Sequence, residues 1–471
     1  LGAAVPEGRQ LQVAPNAGGG TSTLERVSFG GFVVAVLLLT FLGGVLVTIL
    51  DIFPAPTLRN AYRGGLAYYH KVQQSQDPLT SDFWQPERQP ETGVTVNSSE
   101  AYPGYTLYTS GHGSEALLID MEGNVVHRWQ ARFSQIWNET SPVKSPQRDP
   151  FFYWRKAQVL PNGDLLAIFV ATGDTPWGYG MVKLDRDSRV LWSYLGQTHH
   201  DFDVAADGRI YALTHEMRDV TYEEHDHLTV PRLDDFLVVL SPEGEEVKKV
   251  SILDALVNSR YAKLLDRVVW YNKHDFIHTN NVDLIDAAAA RALGFAEEGQ
   301  VLLSFRDIDT IALLDVEAEE IVWAMRGRWL AQHDPDVLPN GNILLYDNLG
   351  NFGEGGRTRI LEVDPRSGAE VWSYLGSAEQ PFESDARGAQ ERLPNGNTLI
   401  TEAAGGRLLE VTRDGRIVWE YLNPERAEDP EAPGQRIVPI VSWGQRIPYD
   451  YLASAFRTTL AAREERGAQD E

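Results

Sequence analysis

The chain has 471 residues, no cysteine, and 42 Lys+Arg against 67 Asp+Glu, a formal charge of −25. Thiol nucleophiles, thiolate metal sites, iron–sulfur clusters and disulfide scaffolds are excluded, and the acidic balance argues against a binder of nucleic-acid phosphates. With 43% hydrophobic residues, 12 Trp, 18 Tyr and 17 Phe, the composition is that of a large folded body rather than a disordered chain.

In chain order, residues 1–28 read as a flexible arm containing Gly, Ala and Pro. Residues 29–50, FGGFVVAVLLLTFLGGVLVTIL, carry no charge, and as a helix they extend ~33 Å, which matches a bilayer core of about 30 Å. A cleaved signal peptide is the competing reading, but its apolar run spans about 7–15 residues and ends at a small-residue cleavage site. This run is longer and no such site follows it. The expectation is a retained transmembrane helix, followed by a polar, Pro-rich linker over residues 51–104. Arg26 on one side faces Arg59 and Arg63 on the other, so flanking charge leaves the orientation open.

From residue 105 to residue 443 the chain repeats itself. QVLPNGDLLAIF, DVLPNGNILLY and ERLPNGNTLIT begin at Gln158, Asp336 and Glu391, and each joins two apolar strands through a Pro-Asn-Gly turn. A second hairpin follows each: VKLDRDSRVLWSYLG from Val182, LEVDPRSGAEVWSYLG from Leu361 and LEVTRDGRIVWEYL from Leu409. Two hairpins make a four-stranded meander, and a unit of ~40–50 residues is the span of a propeller blade. The fold class expected is all-β, a six-bladed β-propeller of four-stranded antiparallel blades preceded by one N-terminal transmembrane α-helix. Trp129, Trp192, Trp323, Trp372 and Trp419 end the repeats and are expected to pack between blades. Residues 444–471 read as a C-terminal extension, with a short helix over residues 452–466.

Aligning the repeats brings out a shared position four residues before a Val. His200, His278 and His333 occupy it in the third, fourth and fifth units, Arg155 in the second, and Gly388, preceded by Arg387, in the sixth. First strands of propeller blades line the axis, so these residues are expected to converge on one point. A single histidine in such a place is more often a strand-end hydrogen bonder, but three in one register argue for a site. Three histidines suit zinc, whereas arginines in the same ring suit an anion, and Arg155 and Arg387 are therefore expected to bind substrate, with no metal. Asp201 and Asp334, one residue further on, are expected to point away from the channel by strand alternation.

The segments LSFRDIDTIALLD from Leu303, IVWAMRGRWLAQHDPDVLPNGNILLYDN from Ile321 and RLPNGNTLITEAAGGRLLEV from Arg392 resemble the bacterial arylsulfate sulfotransferases, a family of six-bladed propellers. The resemblance covers residues 105–443. It implies transfer of a sulfuryl group from a phenolic sulfate ester to a phenol, without a nucleotide donor or other cofactor, through a transiently sulfurylated histidine. By motif, His333 of Gln332-His333-Asp334 is that nucleophile. His200, His278 and Arg306 match the residues that hold the sulfuryl oxygens and stabilise the phenolic oxygen; Arg306 lies outside the register and rests on the resemblance alone. The implied partners are aryl sulfates and phenols, with Phe202, Trp177, Tyr179 and Phe352 as candidate aromatic contacts. The membrane is a further partner through residues 29–50, and the implied location is the inner membrane with the propeller in the periplasm. The anchor replaces the cleaved export signal of soluble family members. A non-catalytic propeller, acting as a binding or structural subunit with partner subunits in a membrane complex, is the alternative. A quinone-dependent dehydrogenase is a distant third, because its adjacent cysteine pair has no counterpart here.

Overall fold

The computed structural model describes residues 23–50, 52–59, 61–62, 64–65, 77–174, 176–268 and 274–461. It divides into two units, residues 1–70 and residues 71–471. In the first, a helix runs over Thr23–Ile49, and its segment Ser28–Ile49, with mean hydropathy 2.8, is long and apolar enough to cross a membrane. The arm expected over residues 1–28 lies outside the described residues as far as residue 22.

In the second unit the Pro-Asn-Gly hairpins share one construction. Asn162, Asn340 and Asn395 each accept, through the side-chain oxygen, the N–H two residues ahead, at 3.1, 3.0 and 3.1 Å. Gly163, Gly341 and Gly396 follow with φ of +88°, +80° and +89°, a conformation that glycine alone adopts without strain. Among the described residues, these turns and their equivalents give six sheets of four or five antiparallel strands, plus a separate three-stranded sheet of Trp84–Pro86, Arg436–Pro439 and Ala427–Glu428. The innermost strands of the six are Phe152–Val159, Thr198–Val204, Thr279–Leu284, His333–Val337, Ala389–Arg392 and Val441–Ile447. Each neighbours the next and the last neighbours the first, so the sheets stand as propeller blades around one axis.

The ring is closed by chain from outside the repeat. Val441–Ile447 becomes the inner strand of the blade that Tyr105–Ser110 continues, and Gly93–Asn97 adds a fifth strand beside Ile417–Leu422. The β body therefore reaches into the segment expected as linker and past Trp443. Neither strand has a partner next to it in sequence, so neither shows the hairpin signature by which the other strands are read. A helix over 454–461 caps the blade junction: Leu452, Phe456 and Leu460 are buried, and the Ala453 N–H donates to the carbonyl of Pro161 at 2.7 Å. It falls inside the helix expected over residues 452–466, of which residues 462–466 lie outside the described residues.

Two sets of polar contacts join the blades. Trp129, Trp192, Trp372 and Trp419 donate their indole N–H to turn carbonyls of the following blade, at Gly163, Pro242, Arg413 and Met121, over 2.7–3.1 Å. Nearer the axis, acidic side chains accept the backbone N–H of the next inner strand. Asp201 takes that of Val282, Asp203 that of Leu284, Asp283 that of Val337, Asp334 that of Gln390 and Glu391 that of Arg446, all within 2.8–3.0 Å. Inner strands have no sheet partner on their axial side, and these carboxylates satisfy the donors that would otherwise be orphaned there.

Candidate active site

Four of the inner strands bend where their candidate residues stand. The pairing register slips between Trp154 and Ala157, between His199 and Phe202, between Thr279 and Val282, and between His333 and Asp336. His200, His278, Asp334 and Arg387 have left-handed backbones, with φ of 48°, 48°, 51° and 70°. Bulges and left-handed residues redirect side chains, and non-glycine residues hold such conformations only where the surroundings impose them. The consequence corrects the alternation expected for Asp201 and Asp334. His200 and His333 line a cavity of ≈ 400 Å³, while Asp201 and Asp334 line a second one of ≈ 300 Å³ further along the same strands. Both members of each pair face the channel, at successive levels.

The larger cavity gathers all six expected residues: His200, His278, His333, Arg155, Arg306 and Arg387. Arg306 arrives from outside the register because the chain just after strand Val301–Phe305 hydrogen-bonds back to the His278 segment, Arg306 N–H to His278 O and Asp307 N–H to Ile277 O. Among the aromatic residues expected at the mouth, only Trp177 lines the cavity, its ring centroid 4.7 Å from that of His200. Phe202 and Tyr179 are buried in the blades, and Phe352 is exposed away from the cavity. Phe83 and Tyr153, packed at 4.3 Å, supply the apolar wall instead.

His333 is 3% exposed, and its Nδ1 lies 2.7 Å from Asn348 Oδ1. The Asn348 amide nitrogen donates to the carbonyls of Ser384 and Arg387, both at 2.7 Å, which fixes Oδ1 as the end facing the histidine. His333 must then carry its proton on Nδ1 and present the Nε2 lone pair. Burial, followed by the positive charges of Arg306 and Arg155, holds its pKa well below the ordinary histidine value, so the ring is neutral at pH 7.

His278 has the opposite bias. Burial alone would lower its pKa, but the Asp275 carboxylate, 2.5 Å from Nδ1, outweighs that and raises it. Its ring lies 4.9 Å, centroid to centroid, from that of His200. His200 is kept neutral by burial, then by the charges of His278 and His199. The Nδ1 atoms of His200 and His199 are 2.9 Å apart, and His199 Nε2 is 3.4 Å from Asp235 Oδ1. With Nδ1 engaged by His199, the Nε2 of His200 is left for the cavity.

The three arginines differ in their pairing. Arg306 bonds Asp307 at 2.6 Å and Arg387 bonds Asp82 at 2.6 Å. Arg155, 5% exposed, bonds among the described residues only the carbonyl and hydroxyl of Ser442, at 2.8 and 3.4 Å. A buried guanidinium whose hydrogen bonds go to neutral acceptors leaves charge to be met by an anionic ligand.

The sequence profile of the arylsulfotransferase (ASST) family matches residues 156–424, more than half of the 471. The chain belongs to this family. The match takes in His200, His278, Arg306, His333 and Arg387, while Arg155 falls one residue before it. No curated protein sequence matches the chain. Among solved structures, a protein of unknown function from Bacteroides caccae is similar at 13% identity and a TM-score of 0.43, over 72% of this chain and 99% of that one. A streptogramin B lyase is similar at 12% identity and a TM-score of 0.39, over 75% and 95% of the two chains. The WD40 β-propeller domain of Doa1 is similar at 10% identity and a TM-score of 0.35, over 73% and 97%.

Asn348 and Asp275 are the residues of this candidate site that pattern reading misses. The signal for Asn348 lies in the repeat itself. Its equivalents in the other Pro-Asn-Gly hairpins are Val170 and Ala403, so a polar amide replaces an apolar residue at a strand end. Asp275 sits in an irregular segment before its strand and has no such frame.

Proposed function

We propose that the chain is a membrane-anchored arylsulfate sulfotransferase that works through a sulfurylated His333. The observation that carries this reading is a buried, neutral His333, with Nδ1–H held by Asn348 and Nε2 left for a cavity that also contains Arg155 and Arg306. In the first half-reaction Nε2 attacks the sulfur of an aryl sulfate and the bond from sulfur to the phenolic oxygen breaks. His278, charged beside Asp275, passes its Nε2 proton to the departing phenolate. The sulfurylated ring keeps its Nδ1–H on Asn348, so the imidazolium charge that forms is stabilised in place. In the second half-reaction an acceptor phenol gives its proton to the now neutral His278 and attacks the sulfur, and the nitrogen–sulfur bond breaks to restore His333. Arg155, Arg306 and Arg387, with His200, border the space for the SO₃ group, whose charge spreads over its oxygens as the bonds loosen. Phe83, Tyr153 and Trp177 offer the wall for the aromatic ring of either substrate. The apolar span Ser28–Ile49 supports anchoring, and the periplasmic side for the propeller follows from the family resemblance alone.

The test is incubation of the full-length protein in mild detergent with p-nitrophenyl sulfate and a phenol. Release of nitrophenol together with a sulfated acceptor is expected from the intact protein and not from His333→Asn. No turnover by the intact protein, or full turnover by the variant, contradicts the reading.

A further inference from the structure

Two sites outside the catalytic residues bring a pair of histidines together with an aspartate: His199, His215 and Asp235, and His225, His227 and Asp266. In the first, the rings of His199 and His215 are stacked 4.3 Å apart and only 18° from parallel. A metal ion lies near the plane of every imidazole that binds it, so two stacked rings cannot share one. His215 Nε2 also accepts the Gly178 N–H at 3.1 Å, and Asp235 Oδ2 accepts that of Thr279 at 2.7 Å. This trio is a polar support beneath His200.

The second trio is built differently. Its histidine rings meet at 72° with centroids 5.8 Å apart, and one ligand atom from each of the three residues lies within 4.8 Å of the others. His227 Nε2 donates to the carbonyl of Leu265 at 3.0 Å, which leaves the lone pair on Nδ1. That is the outer contact metal-binding histidines make, one ring nitrogen on a backbone carbonyl and the other on the metal. His225 is 6% exposed, and its Nδ1 is buried with no hydrogen-bond partner among the described residues. Glu223, Glu224 and Asp226 add negative charge in the same loop, against Lys263 and Arg267 near Asp266.

We propose that His225, His227 and Asp266 form a zinc site that ties the loop over 219–231 to the 3-10 segment Ala262–Arg267. Imidazole and a single carboxylate suit zinc rather than calcium or magnesium, which take oxygen ligands. Zinc–ligand bonds of about 2.0–2.1 Å place tetrahedral ligand atoms roughly 3.4 Å apart, so closing the site needs side-chain movement of about an ångström, with water in the fourth position. The clamp joins two segments that lie apart in sequence, and it stands independently of the reaction proposed above.

The test uses full-length protein in detergent, with any affinity tag removed and metal stripped by a chelator. Wild type, His227→Ala and Asp266→Asn are titrated with zinc by calorimetry, and their thermal unfolding is followed with and without the ion. Both altered residues are exposed, so folding is not at stake. Wild type is expected to take up one equivalent more zinc than His227→Ala and to gain thermal stability from it. Asp266→Asn is expected to bind about tenfold more weakly or worse, and calcium and magnesium to leave all three unchanged. Equal zinc uptake by wild type and His227→Ala, or none by wild type, overturns the proposal.

Discussion

The two cavities on the propeller axis are lined by consecutive residues of the same strands, yet they carry opposite charge and stand in opposite relation to the backbone. In the smaller one, Asp201, Asp203, Asp283, Asp334 and Glu391 each accept an N–H from the next blade, and Lys156 bonds Asp201 at 2.5 Å. In the larger one, three arginines and three histidines outnumber Asp82 and Asp174, and the histidines are positioned by residues behind them: Asn348 behind His333, Asp275 behind His278, His199 behind His200. The acidic half holds blades together, and the basic half keeps its lone pairs and charge for a ligand. The net charge of −25 describes neither half.

The contrast can be broken from the basic side first. Arg306→Ala is expected to lower kcat by roughly 10²–10³-fold with an aryl sulfate, because a charge aimed at the transferring group acts mainly in the transition state. Retention of kcat would remove Arg306 from the site. Asn348→Ala is expected to cost about 10–100-fold, more in kcat than in KM, since it frees the His333 tautomer without touching substrate. An effect confined to KM would contradict that role.

The pH profile sharpens the comparison within the basic half. The depressed His333 stays neutral, and the raised His278 stays charged, on either side of the ordinary histidine value of 6.5. Activity should therefore be present at pH 6.5 and fall at higher pH as His278 loses its proton. Asp275→Asn removes the charge that raises His278 and is expected to move the alkaline limb to lower pH, with little change well below it. An unmoved limb would exclude His278 as the proton donor.

The smallest effect on turnover belongs to the acidic half. Asp283 is pushed well above its ordinary value of 3.8, by burial first and then by the charge of Asp203. Such a group binds more protons in the folded state, so its contribution to stability is full below 3.8 and is lost as pH rises through the folded value. Asp283→Asn keeps an oxygen for the Val337 N–H and abolishes the titration. The variant should match wild type in turnover and be the more stable of the two at alkaline pH, the difference shrinking as pH falls. A collapse of activity would mean that the two cavities work as one.

Much of this was legible in the sequence because local chemistry repeats. The Pro-Asn-Gly turns announce hairpins, and the shared position before a Val gathers His200, His278, His333 and Arg155 without reference to any family. The strands that close the ring, Gly93–Asn97 and Val441–Ile447, were not legible, because their partners lie hundreds of residues away. The same holds for Phe83 and Tyr153, brought to the cavity by tertiary packing. Strand alternation misled for Asp201 and Asp334, since left-handed backbones at His200 and Asp334 turn neighbouring residues onto the same axis.

The central claim is that His333 Nε2 bonds covalently to sulfur. Full-length protein mixed with p-nitrophenyl sulfate in the absence of acceptor, quenched under alkaline conditions and digested for mass spectrometry, tests it directly. The account predicts one SO₃ unit on the peptide that contains His333, lost when phenol is added before the quench and absent from His333→Asn. Turnover with no such adduct, or an adduct on any other residue, would contradict it.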